Sequence, residues 1–135
     1  MFKILKNRKG VTLVELLAVV VILGIIAAIA VPTIGGLIAR QRANADTATY
    51  NAIVDASILY ANDNSNVVVF TLASLQSNDF VDLKTASNTY TAGTITDISL
   101  IYVRVEGNNV TFHATAGALD GVQFKVNDTV VQPAP

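Results

Sequence analysis

A lone carboxylate stands at the mouth of the longest apolar run in this sequence. Val11-Thr-Leu-Val-Glu15 leads into residues 16–39, which contain no Asp, Glu, Lys or Arg. At the centre of a membrane-spanning helix a carboxylate costs about 2.5–3.5 kcal/mol, and less near the interface, where Glu15 would lie. An acid kept there is expected to have a cationic partner or a task. Four bases, Lys3, Lys6, Arg8 and Lys9, crowd residues 1–10, with no acid among them.

The other chemistry-bearing residues are scattered. His113 is the single histidine, and it is expected on the solvent face of a strand. Ser57, Ser65, Ser74, Ser77, Ser87 and Ser99 offer hydroxyls, but no nucleophile elbow, phosphate loop, dinucleotide fingerprint or metal-ligand cluster frames them. Asp79 and Asp82 read as solvated acids. Asn62, Asn64 and Asn66 begin like a calcium loop, yet the glycine and closing glutamate of such a loop are missing, so a solvated loop is expected. Asn109-Val-Thr111 and Asn127-Asp-Thr129 fit the glycosylation sequon, a triplet that arises often by chance. The chain has no cysteine, which excludes disulfides, thiol catalysis and lipid attachment at cysteine. An enzymatic role, a metal and a cofactor are not expected.

The element that must position Glu15 is a helix. Residues 16–39 would span roughly 36 Å as helix, enough for a hydrocarbon core of about 30 Å. Bases ahead of such a span leave the N-terminus in the cytoplasm and the bulk of the chain outside. Two plain readings compete. One is a Sec signal peptide cut after Ala28-Ile29-Ala30, releasing a soluble binding domain that starts near Val31. The other is a simple signal anchor. Neither gives Glu15 a purpose.

Gly10-Val11-Thr12-Leu13-Val14-Glu15-Leu16-Leu17, behind a basic leader, resembles the class III signal of type IV prepilins. The family here is that of type IV pilins and type II secretion pseudopilins. The resemblance implies that a membrane aspartyl peptidase cuts between Gly10 and Val11 on the cytoplasmic side and methylates the new amine of Val11. It also makes Glu15 the family's glutamate four residues past the new N-terminus, and matches Gly24 and Pro32 to positions of helix flexibility. Valine in place of the usual phenylalanine at Val11 is a departure. On this reading Glu15 pairs with the Val11 amine of a neighbouring subunit and sets axial register, as a single polar group does in a coiled coil. Gly24 and Ala28 give the small-xxx-small spacing of close helix contacts, while Pro32, Gly35 and Gly36 loosen the helix.

Beyond Pro32, Ile34, Ile38, Ala45, Ala48, Ala52, Ala56 and Leu59 recur at helical spacing, widened by Ile53 and Tyr60. They predict an amphipathic helix to about Tyr60 whose apolar stripe meets a head. In the head, Thr71 is expected to cap a short helix to about Asn78 with Leu72 and Leu75 inward. Residues 85–96 read as an irregular loop. Strands are expected over 98–105, 110–115 and 122–126, the first two joined by a turn at Glu106-Gly-Asn-Asn109, with Val130 and Val131 closing the order before a frayed tail at 132–135. The expected fold is α+β: a long N-terminal helix packed on a small antiparallel sheet, one meander of three or four strands. The expected division is a leader at 1–10, a helix at 11–62, and a head at 63–135 forming one unit with 33–62, because some seventy residues alone make a marginal core.

Residues 1–10 carry +4, whereas five Lys and Arg stand against ten Asp and Glu from Val11 onward. No global basic surface remains for nucleic acid. The resemblance implies a homo-oligomeric helical filament and, as partners, the membrane, a prepilin peptidase, an assembly ATPase and a platform protein. A small-molecule substrate is not expected, and nucleic acid enters only if the filament is a competence pilus. The implied itinerary runs from the cytoplasmic membrane to the cell surface as a pilus, a structure used for cell adhesion and twitching motility. A pseudopilin of type II secretion or DNA uptake is the alternative within the family.

Overall fold

The computed structural model describes residues 10–64, 68–118 and 120–132. The basic leader at 1–9, the end of the Asn62–Asn66 turn, and the tail at 133–135 lie outside the described residues. Eight elements follow one another: α1 (Leu13–Asp63), β1 (Val69–Thr71), α2 (Leu72–Ser77), β2 (Tyr90–Ala92), β3 (Tyr102–Glu106), β4 (Asn109–His113), β5 (Phe124–Val126) and β6 (Thr129–Gln132). This is the α+β arrangement expected of the sequence. The chain divides into two compact units, Met1–Arg40 and Gln41–Pro135.

In the first unit, residues 13–40 of α1 are long and apolar enough to cross a membrane. Their side chains are uncovered: Leu13 is 85% exposed and Val31 71%. A helix that is greasy all round is built for a non-aqueous setting. Helix runs on through Pro32, and the Thr33 hydroxyl donates to the Ile29 and Ala30 carbonyls at 3.0 and 2.9 Å. A β-carbon added at Gly24, Gly35 or Gly36 would meet open space.

In the second unit, residues 41–63 of α1 pack on two three-stranded antiparallel sheets, ordered β1-β3-β4 and β2-β5-β6. The single meander is thus corrected to two sheets. Each contains a strand from earlier in the head that lies far in sequence from its partners. β2 falls inside the stretch expected to be an irregular loop. Its Tyr90 and Ala92 are buried, so alternation resides in two positions that Thr, Asn and Gly neighbours obscure. The first strand of the expected trio also starts later. Residues 98–100 form a turn because the Asp97 carboxylate accepts from the Ser99 amide and hydroxyl at 2.9 and 2.6 Å, the local competition that Asp offers to strand pairing. Those two hydrogen bonds also lower the Asp97 pKa.

Phe112 of β4 and Phe124 of β5 join the sheets, stacked at 3.9 Å and 8°. Tyr50 of α1 lies against both, at 6.1 and 6.2 Å. The buried face of α1 is rotated from the expected stripe. Asp46, Ile53, Ala56, Ser57 and Ala61 are buried, and Tyr50, Val54, Ile58 and Tyr60 half-buried, whereas Ala45, Ala48, Ala52 and Leu59 are exposed. Ile53, Ala56 and Tyr60 face the core as their spacing predicts. Alanines constrain a helix face weakly, and two satisfied polar residues occupy the true one. The Ser57 hydroxyl donates back to Ile53 O at 2.6 Å.

Both tight hairpins have the chirality that matches strand twist. Gly107, at φ 63°, opens the expected β3–β4 turn, and Asn127-Asp128, at φ 48° and 68°, makes the β5–β6 turn. The short helix is α2, with Leu72 and Leu75 fully buried. Thr71 precedes it in extended conformation, but its hydroxyl meets Ser74 Oγ at 2.8 Å in place of a backbone amide.

Burial raises the pKa of Tyr50 and of Tyr90, whose hydroxyl donates to Leu83 O. Their unfolded-state phenols ionise first, so the stability they contribute is complete below pH ~10 and is lost as pH climbs through the higher folded values. Circular dichroism of the head against pH is expected to show stability falling only above pH ~10, and Tyr90→Phe is expected to flatten that fall.

Candidate processing and assembly site

The described residues ahead of α1, 10–12, belong to no helix or strand and are exposed. Gly10 and Val11 are exposed, and nothing lies within 4 Å of where a Gly10 β-carbon would be. The peptide bond between them lies ahead of the first residue of α1.

Thr12 ends this stretch by capping α1. Its hydroxyl accepts from the Glu15 amide at 3.3 Å. Glu15 Oε2 in turn accepts from the Thr12 amide at 3.0 Å and from the Thr12 hydroxyl at 3.2 Å. The first backbone bond of the helix, Leu16 N to Thr12 O, is 3.2 Å. This is a capping box, in which residues three apart satisfy each other's free amides, and an acid in the first turn also favours the helix dipole. The Thr-x-x-Glu signature is present at residues 12–15, but in so apolar a context Glu15 alone stands out. Glu15 thus has two roles open to it, a local cap and a charged acceptor for something beyond its own chain.

Gly24 and Pro32 lie on the same helix, roughly 14 and 26 Å further along by helical rise, and neither joins this cluster.

Residues 5–31 match the family described as prokaryotic N-terminal methylation motif. The chain carries the signal that marks type IV pilins and pseudopilins. No solved structure matches the chain. The motif overlaps the first turns of α1, whose apolar half is long enough to cross a membrane. The match covers the leader end, the Gly10–Val11 junction, Glu15 and Gly24, and stops one residue short of Pro32.

Two clusters in the chain's second unit go beyond what its sequence pattern predicts. His113 is 2% exposed, which corrects its expected place on a solvent face. Thr111 Oγ1 lies 2.8 Å from its Nε2, and Nδ1 lies 3.1 Å from the Asp120 carbonyl. A carbonyl can only accept, so Nδ1 carries a proton, and Nε2 pairs with the Thr111 hydroxyl, which can donate or accept. The ring is a strut tying the loop after β4 to its strand. Neither nitrogen meets a serine hydroxyl or a carboxylate among the described residues.

The second cluster surrounds Asp46, 6% exposed. Its two oxygens accept from Asn127 Nδ2 at 2.9 Å and Thr129 Oγ1 at 2.5 Å. Asn127 Oδ1 accepts from the Thr89 amide at 2.8 Å, and Asn127 Nδ2 also reaches Asn88 Oδ1 at 3.1 Å. The second sequon is therefore occupied by structure: its asparagine and its threonine both bind Asp46. Among the described residues no group of three or more His, Cys, Asp or Glu is arranged to hold a metal.

Proposed function

We propose that this chain is the main structural subunit of a type IV pilus-like filament, made as a membrane-anchored precursor and cut between Gly10 and Val11. The observation that carries the reading is the methylation motif at 5–31 ending in an exposed apolar helix with one acid, Glu15, in its first turn. Hydrolysis adds water across the Gly10–Val11 bond. The carboxylate leaves with the leader, and the amine stays on Val11 as a cation that needs a counter-charge among apolar helices. Uncovered apolar helices then supply the driving force for packing against copies of themselves. A head-to-tail contact that does not close on itself produces a fibre. Gly24 and Pro32 give the helix room to adjust as subunits enter. A prepilin peptidase, an assembly ATPase and a platform protein would act on the chain, from the cytoplasmic membrane to the cell surface.

Intact mass of the protein recovered from its native host tests this directly. The expected product lacks residues 1–10 and carries one added methyl group on Val11. A product beginning near Val31 would instead establish a secreted soluble domain, and one retaining its leader would establish a plain anchor.

A further inference from the structure

We infer that the head carries a binding site for a neutral saccharide, in the cleft that residues 85–90 and 96–98 line. The cleft has a volume of about 360 Å³, and Thr85, Asn88, Thr89, Thr96, Asp97 and Ile98 line it together with the buried Tyr90. That is room for a small ligand, at the low end of the ~300–1,000 Å³ usual for such sites. The site lies wholly within the second unit and stands apart from the filament reading.

Part of the lining is fixed and part is left free. The Lys84 carbonyl accepts from the Ser87 and Asn88 amides, both at 2.9 Å. Lys84 itself has a φ of 48°, uncommon for a residue other than glycine. Asn88 Nδ2 reaches the Leu83 carbonyl and the Tyr90 hydroxyl at 3.5 and 3.4 Å, and its Oδ1 accepts from Asn127 at 3.1 Å. The Ser99 amide and hydroxyl both go to Asp97 Oδ1, which orients that carboxylate and keeps it charged. Asp97 Oδ2 and the hydroxyls of Thr85 and Thr96 make no hydrogen bond among the described residues, and the Thr89 hydroxyl makes only a long one, 3.5 Å to Asn127 Oδ1.

These groups select by their chemistry. The lining has one charge, Asp97, and no basic side chain, so a phosphate or an acidic ligand meets only repulsion. Tyr90 is buried and offers no ring face, so a nucleobase has nothing to stack on. An apolar ligand would strip water from hydroxyls and a carboxylate without replacing its hydrogen bonds. An ammonium suits the carboxylate but has no acceptor for the threonine hydroxyls. A pyranose answers all of them. Its neighbouring hydroxyls can donate to Asp97 Oδ2 and accept from Thr85 and Thr96. Its C–H face has the Ile98 side chain and the threonine methyl groups to lie on.

The test uses the full chain, isotope-labelled for NMR, in micelles of a zwitterionic detergent that has no sugar headgroup. It is titrated separately with methyl galactoside, methyl mannoside and methyl N-acetylglucosaminide, and with sialic acid, inorganic phosphate and methylamine for comparison. At least one neutral glycoside is expected to give saturable amide shifts confined to residues 85–90 and 96–98. The comparison ligands are expected to bind there more weakly or not at all. Asp97→Asn keeps an oxygen for Ser99 and is expected to weaken glycoside binding about tenfold, the loss of a hydrogen bond to a charged group. Thr96→Val removes one hydroxyl and is expected to weaken it about threefold. Both side chains are exposed, so the fold is expected to persist, and unchanged shifts in the rest of the head check this. No saturable shift at the cleft with any of the three glycosides would overturn the inference. So would equal or tighter binding of sialic acid, phosphate or methylamine, or unchanged affinity in either variant. None of these outcomes bears on cleavage at Gly10–Val11, which the intact mass decides by itself.

Discussion

Glu15→Gln is expected to leave a precursor that inserts and is cut normally but does not polymerise. Glutamine can still occupy the third position of a capping box, so the start of α1 should survive, and the substitution removes charge with little change in shape. What is lost is the counter-charge that the proposed filament assigns to the Val11 amine. In the proposed filament that amine lies among apolar helices, and an ion left there without its partner costs about 3–5 kcal/mol. Per subunit contact this is at least a hundredfold in equilibrium, at about 1.4 kcal/mol for each factor of ten, repeated at every step of growth. The measurement is filament yield by shearing and electron microscopy, alongside immunoblotting of processed subunit in the membrane. Processed subunit at normal levels with no filaments is the expected pair of results. Filaments in normal number would show that axial register does not depend on this acid. Glu15→Ala is expected to do the same and, in addition, to fray the first turn, because the Thr12 amide loses its acceptor.

How far the sequence can be read follows from which signals are local. The apolar segment is plain because twenty-four uncharged residues in a row are long enough to span a bilayer and seldom occur elsewhere. The β3–β4 turn is legible because Gly107 adopts a positive φ that few residues tolerate, and β4 and β5 because Val110, Phe112, Phe124 and Val126 alternate and are all buried. The departures at Asp46, Ser57 and His113 have a common cause in the satisfaction of buried polar groups. Asp46 and Ser57 sit on the buried face of α1, where sequence patterning places apolar residues. They can do so because one meets a turn eighty residues away and the other its own backbone. His113 departs from its expected place for the same reason: its polarity suggests water, but Thr111 and the Asp120 carbonyl satisfy it inside. β2 is hidden because three residues carry too little alternation to stand out. At the candidate processing site the residue types are legible and the geometry is not. The context of Glu15 singles it out, whereas the bonds that hold it come from Thr12.

Asp46→Ala is expected to loosen α1 from the β5–β6 hairpin and destabilise the head. The carboxylate is closed to solvent, and no basic side chain pairs with it among the described residues. Its burial is offset by the Asn127 amide and the Thr129 hydroxyl alone. Those bonds tie α1 to the β5–β6 hairpin, whose two central residues both have positive φ. Alanine would leave the Thr129 donor without its acceptor, weaken the hold on Asn127, and open a small cavity beneath the turn. Hydrogen bonds to a charged group contribute about 1.5–3 kcal/mol each, and the burial cost of the charge is recovered on removal, so a net loss of about 2–3 kcal/mol is expected. For a unit of this size 1 kcal/mol moves Tm by roughly 4–8 °C, so melting of the full chain in detergent should fall by about 10–20 °C. Asn127→Gly separates the two contributions at the turn. Glycine accepts the positive φ without strain, so a loss beyond the ~0.5–1 kcal/mol of its extra unfolded-state freedom belongs to the hydrogen bonds with Asp46, Asn88 and Thr89. Because Asp46 and Asn127 share a bond, the pair should be non-additive. The double variant is expected to lose less than the sum of the single losses, and strict additivity would mean that the network does not couple α1 to the hairpin.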